Sequence, residues 1–179
     1  MTAEDRAARA WFGYGRWQAP YWFIGMEPGG TEHAASYESW ERLGGAFEGK
    51  PAETSDALAY QHHEWGSKNG ETALIELGAL HAPSLASVVD RETYRQERIK
   101  ALHERLERYQ PVFALCYGLG YREQFEQVVG SAFDSDGFTR CGKTLCVLTP
   151  GPTSRVHQDK EWWIDLGKRM RAMVEAFPA

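Results

Sequence analysis

Two short loops hold the residues whose types and spacing could carry chemistry. The first, Gly25-Met26-Glu27-Pro28-Gly29-Gly30, follows directly on an apolar run, so Glu27 is expected at the carboxyl end of a strand, on a turn that Pro28 stiffens. Its glycines let a ligand approach the backbone, and a carboxylate there can polarise a water or stabilise a developing cation. The second loop is Thr149-Pro150-Gly151-Pro152-Thr153-Ser154-Arg155-Val156-His157. Its small and hydroxyl-bearing residues present successive N–H groups suited to a phosphate, and Arg155 adds a charge-assisted contact. Neither loop has the spacing of a dinucleotide fingerprint or of a Gly-Lys-Ser/Thr phosphate loop. The pair His62-His63 precedes Glu64, but adjacent histidines on a helix point to different faces, so no metal site is expected there.

The elements that must position these loops can be read from periodicity. Four apolar runs, Tyr21 to Ile24, Ala73 to Leu77, Val112 to Tyr117 and Thr144 to Leu148, are short, nearly continuous and followed by Gly or Pro, which is how buried strands read. Between and after them lie helical patterns. Glu92 to Tyr109 sets Tyr94, Ile99, Leu102 and Leu106 on one stripe with its charges elsewhere, and Pro111 stops it. Tyr121 to Val129 is a shorter helix, and Asp159 to Phe177 starts on an Asp cap and carries Trp162, Trp163, Leu166 and Met170. Strands alternating with helices predict an α/β fold, a three-layer α/β/α sandwich around a central four-stranded parallel sheet. With 179 residues and no linker-like stretch, residues 1–179 read as a single domain. In such a sheet the site lies beyond the carboxyl ends of the strands, where both loops would gather.

Charge and cysteine usage narrow the setting. The net charge of −5 hides a split: residues 26–92 carry 12 acids against 4 bases, whereas residues 138–172 carry 3 acids against 7 bases. The last third is therefore locally basic, which is the relevant quantity for binding phosphate. Three cysteines without a CxxC pair read as buried spectators in a reducing compartment and offer no iron–sulfur or zinc site. No run approaches the about 18 apolar residues needed to cross a bilayer, and the start, with Glu4, Asp5, Arg6 and Arg9, lacks the layout of a secretory signal. The expectation is a cytoplasmic protein that needs no cofactor.

Gly25-Met26-Glu27-Pro28-Gly29 resembles the first motif of the uracil-DNA glycosylase superfamily, whose branches have Gly-x-Asn-Pro-Gly or Gly-Gln-Asp-Pro-Tyr there. Gly151-Pro152-Thr153-Ser154-Arg155 resembles the second motif, a His or Asn followed by Pro-Ser and a loop that enters the minor groove. The order is similar as well, with Gly118 after the third strand and a terminal helix after the second motif; the layout covers about residues 17 to 176. The resemblance implies a uracil-DNA glycosylase-like fold and hydrolysis of the N-glycosidic bond of a deaminated base, uracil first, after its extrusion from DNA. By the same resemblance Glu27 would activate water, and Gly25, Met26, Pro28, Gly29 and Gly30 would shape the pocket, with Tyr37 or Trp40 stacking beneath the base. A polar residue near the second strand, Asn69, Glu71 or Glu76, would read the base edge. Thr153, Ser154, Arg155 and Val156 would grip the DNA, Arg155 or Val156 filling the space left by the base.

One departure from the family pattern is large. Where the second motif begins with His or Asn, this chain has Gly151, which by the resemblance would border the substrate, or Thr149 if the alignment shifts by two; His157, six residues after Gly151, is the catalytic candidate to reach in, with Thr153, Ser154 and loop N–H groups as alternative donors. Losing one such donor costs roughly 100- to 1000-fold in rate. The implied partner is DNA containing a damaged base, bound by a monomer without metal or cluster. The rival readings are an inactive binding module of the same fold and a small α/β enzyme acting on free nucleotides.

Overall fold

The computed structural model describes residues 13–26, 43, 47, 72–77, 91–151 and 160–177. Its centre is a sheet of six strands: β1 Gly13–Tyr14, β2 Tyr21–Gly25, β3 Thr72–Glu76, β4 Phe113–Tyr117, β5 Phe138–Cys141 and β6 Thr144–Thr149. They lie in the order β1-β3-β2-β4-β6-β5. The four inner strands are parallel and coincide with the four apolar runs. The expected four-stranded sheet is thus the inner part of a wider one, edged by β1 antiparallel to β3 and β5 antiparallel to β6. Sequence patterning missed both edges because β1 is two residues long and β5 carries Thr139 and Arg140 between its buried ends.

The hairpin joining β5 to β6 turns through Gly142 and Lys143, with Gly142 at φ 57°, the glycine position of a two-residue hairpin turn. A side chain at 142 would also strike the amide of Gln110, whose Oε1 accepts the Lys143 N–H at 3.2 Å.

Three helices cover the sheet: α1 Arg91–Tyr109, α2 Arg122–Val129 and α3 Lys160–Glu175. Alternation along each strand divides the core in two. On one face Trp22, Ile24, Ala114, Cys116, Cys146 and Leu148 meet Ile99, Leu102 and Leu106 of α1 and Phe125 and Val128 of α2. On the other, Phe23, Phe113, Leu115, Leu145 and Val147 meet Trp163, Leu166 and Met170 of α3. Leu43 and Phe47, both helical, join that second cluster. The three layers expected from the sequence are therefore present, and the helical stripes of α1 and α3 are the ones that periodicity picked out.

The path explains why the helices divide this way. From β2 the chain steps one way to β3 and then, through α1, back across β2 to β4 and on to β6. Crossovers of one handedness require the segment between β2 and β3 to lie on the opposite face from α1 and α2. Leu43 and Phe47 do lie there.

The cysteines bear out the spectator reading. All three are free and buried. Burial pushes the Cys116 thiol well above its ordinary range and raises those of Cys141 and Cys146, the last to about 12. Among the described residues no His, Cys, Asp or Glu group could hold a metal ion, and no helix is long and apolar enough to cross a membrane.

These thiols set a testable pH dependence. Each ionises more easily unfolded, near about 8.5, than folded. Their contribution to stability is fully present below that pH and is lost as pH rises from there toward the folded value, which for Cys146 is about 12. Denaturant midpoints should fall over that window, and a chromogenic disulfide reagent should count three thiols in guanidinium but almost none in native protein at pH 8. Fast labelling of the native protein would contradict the packing.

Candidate functional site at the switch point of the sheet

The chain leaves β2 in one direction and returns past it to β4, so the carboxyl ends of β2 and β4 flank a topological switch point, where open α/β sheets take their ligands. The residues gathered there form one row. Gly25 pairs with Glu76, and Tyr117 pairs with Thr149. Because Ile24 stands beside Cys116, Gly25 stands beside Tyr117. Reading across β3, β2, β4 and β6, the row is Glu76, Gly25, Tyr117 and Thr149. Alternation directs all four to the face that carries α3, since Phe23, Leu115 and Val147, two residues earlier in their strands, belong to that cluster.

The row is polar where the rows beneath it are apolar. Glu76 is buried at 3% exposure. The Tyr117 hydroxyl donates to Glu76 Oε1 at 3.0 Å, a bond between residues 41 apart in sequence and two strands apart in the sheet. Only a glycine on the strand between permits it. A Cβ at position 25 would lie 2.4 Å from the Tyr117 oxygen and 2.6 Å from Glu76 Oε2. Gly25 was expected to admit a ligand to the backbone; the space above it is taken by the phenol and the carboxylate.

Backbone and side chains hold this edge in place. Leu77 N–H donates to Gly25 O at 2.8 Å and Gly118 N–H to Thr149 O at 2.8 Å, so pairing continues one residue past the strands. From α1, Arg98 reaches the end of β3 and donates through Nη2 to the Glu76 carbonyl and through Nη1 to the Tyr94 hydroxyl at 3.0 Å. The sequence placed the charges of α1 outside its buried stripe; Arg98 is instead only 2% exposed. Desolvation lowers its pKa from the usual arginine value, while Tyr94 and Glu76 act in the opposite sense. Thr149 ends the row with a buried Oγ1 that has no hydrogen-bond partner among the described residues. A buried carboxylate, a phenol and a hydroxyl at the sheet's ligand end can give and take hydrogen bonds with a polar ligand.

Of the residues singled out in the sequence, Gly25, Met26, Glu76, Thr149 and Gly151 fall at this edge. Met26 packs at 5% exposure in the α1 face of the core, and Gly151, half-buried, has no atom within 4 Å of where a Cβ would stand. Glu27, Pro28, Gly29, Gly30, Tyr37, Trp40, Thr153, Ser154, Arg155, Val156 and His157 lie outside the described residues, as do Asn69 and Glu71. Tyr117, a strand-end residue, had no assigned role. Its signal was its place: Tyr117 ends an otherwise apolar run, and Glu76 interrupts one; each falls at a strand's carboxyl terminus.

The basic segment is partly spent on its own fold. Arg140 donates to the Met173 carbonyl at 2.7 Å and lies 4.5 Å from the Phe177 ring, and Arg169 lies 4.8 Å from the Phe138 ring. Lys168 pairs with Asp165 and Arg171 with Glu175, both on exposed helix surface.

The fold and the row define an α/β domain with a polar edge at the switch point of a mostly parallel sheet. Neither the family models nor the curated proteins contain a match to this chain.

The bond across position 25 makes a direct prediction. Gly25→Ala must displace the Tyr117 ring and break its bond to Glu76, so stability should fall by about 1–3 kcal/mol. A urea midpoint equal to that of the wild type would mean that the phenol does not cross β2.

Proposed function

We propose that this chain is a DNA glycosylase of the uracil-DNA glycosylase type, a cytoplasmic monomer that hydrolyses the N-glycosidic bond of a deaminated base, uracil first. The observation that carries the reading is the strand order. The two loops that resemble the family's motifs leave β2 and β6, and these strands flank β4 and end at the same edge of the sheet. A base extruded from the duplex would enter between those loops, over the polar row, with DNA backbone held by Thr153, Ser154 and Arg155.

Glu27 follows two residues after Gly25 and supplies the carboxylate that orients water and offsets positive charge on the sugar. The donor to the departing base comes from a hydroxyl, a loop N–H or His157, because neither Thr149 nor Gly151 brings an imidazole. That same lack supports the second reading, a module that binds lesion DNA without turnover.

Oligonucleotides containing uracil, hypoxanthine or xanthine test the proposal. Wild-type protein should leave alkali-labile abasic sites on at least one of them, and Glu27→Gln should slow release by about 100-fold or more. Salt-sensitive binding to abasic duplex without cleavage would select the binding module. Inactivity together with affinity for mononucleotides alone would remove DNA from the account.

A further inference from the structure

The outer side of β5 is the longer edge of the sheet among the described residues, since β1 at the opposite edge has only two residues. A bare strand edge is a template for pairing with another chain, and proteins blunt it with lysine, proline or a covering segment. Phe138-Thr139-Arg140-Cys141 has neither lysine nor proline. Its one charge is committed elsewhere, because Arg140 donates to the Met173 carbonyl of α3 and lies against the Phe177 ring. Next inward, Thr144–Thr149 is uncharged, buried throughout and free of proline, a composition that favours association between strands once an edge opens.

The chain just before β5 covers this edge. Asp134 N–H donates to the Phe138 carbonyl at 2.9 Å, and Asp134 Oδ1 accepts the Phe138 N–H at 2.8 Å and the Asp136 N–H at 2.9 Å. Both backbone groups of Phe138 therefore point away from β6, and by alternation those of Arg140 do too. The Ser131 hydroxyl donates to the Arg140 carbonyl at 3.2 Å and meets the Thr139 hydroxyl at 2.9 Å. Three of these four outward groups are thus occupied from residues 131–134. That segment is fastened from behind by α2. Glu126 Oε1 accepts the Phe133 N–H at 3.1 Å, Arg122 donates to the Phe133 carbonyl at 3.0 Å, and the Phe133 ring is buried in the α1 face of the core. Phe133 gives its backbone to α2 and Asp134 gives its own to β5.

We propose that residues 131–134 guard the sheet against extension by a second copy of this chain, whose own β5 would otherwise pair antiparallel with this one about a two-fold axis. Such a pairing is self-complementary, so a second copy brings the fitting edge with it. None of these residues belongs to the polar row or to the two motif loops, and the inference stands apart from the glycosylase reading.

Light scattering over a concentration series, joined to amide hydrogen exchange, tests the guard. Asp134→Ala removes the acceptor of the Phe138 N–H and should self-associate at concentrations about 10-fold or more below any at which the wild type does. Ser131→Ala bares only the Arg140 carbonyl; it should move association in the same direction by less, and it carries the test if Asp134→Ala fails to fold. Asp134→Asn keeps an acceptor oxygen in the turn and should behave as the wild type. In associated Asp134→Ala protein the Phe138 and Arg140 amides should exchange about 10-fold or more slowly than in its dilute monomer. A folded variant of either alanine kind that associates no more readily than the wild type would overturn the inference. Association that leaves those two amides unslowed would do the same, since contact then lies elsewhere. So would an Asp134→Asn protein that associates as Asp134→Ala does, because charge rather than the hydrogen-bonded cap would then be responsible.

Discussion

The carboxyl edge of the sheet depends on position 25 having no side chain. With a Cβ there, the Tyr117 phenol could not cross β2, and Glu76 would be a buried carboxylate without the hydroxyl that now donates to it. The glycine thus acts through its neighbours. It joins β3 to β4 over the strand that separates them, while Gly118 N–H joins β4 to Thr149 on β6 and Arg98 holds the carbonyl of Glu76 from α1. Four strand ends and one helix meet in this set of contacts. A ligand at the switch point would find a polar row already fixed, which reduces the ordering needed on binding.

That row exists because the sheet has two differently used faces. The α1 face is covered by the apolar residues of α1 and α2, and its buried thiols are pushed toward the protonated form by desolvation. The α3 face is apolar as far as Phe23, Leu115 and Val147 and then changes character one pleat further on. The change falls at the carboxyl ends of β2 and β4, where chain direction reverses and open α/β sheets take their ligands. Topology supplies the position of the site, and side-chain chemistry in one pleat supplies its polarity.

Much of this frame was legible in local sequence. The runs at 21–24, 73–77, 112–117 and 144–148 all became inner parallel strands, shifted by at most one residue at their ends, and the three helical patterns became α1, α2 and α3. Each of those signals is a periodicity contained in one segment. What was not legible is non-local or too short to be periodic. The two residues of β1 carry no pattern, and β5 is a four-residue strand whose middle is polar. Arg98 occupies a turn of α1 next to Ile99, and its reach to the end of β3 and to the Tyr94 hydroxyl gives a buried arginine partners that no periodicity shows. Tyr117 and Glu76 are 41 residues apart, so no spacing rule joins them until the strand order is known. The motif residues beyond Met26 and Gly151 lie outside the described residues, and their part of the site rests on sequence.

The charge split needs the same correction from structure. Counting residues 138–172 gives an excess of cations, but cations differ in what they already do. Arg140 and Arg169 lie against Phe177 and Phe138, and Arg140 also donates to the end of α3, so removing either to meet a phosphate would loosen the hairpin or the helix. Lys168 and Arg171 are held only by exposed pairs within α3, which contribute about 0.3–0.5 kcal/mol each and yield readily to a stronger anion. Lys143 stands exposed on the hairpin. The electrostatic footprint available to a nucleic-acid backbone is therefore smaller than the formal count and is concentrated on the outer surface of α3 and the hairpin turn. Arg155, six residues after the end of β6, is a further cation of this segment and lies outside the described residues. Among the described residues the cations of α3 would act on a phosphate beside the polar row only at longer range, where salt screens them within about 8–10 Å.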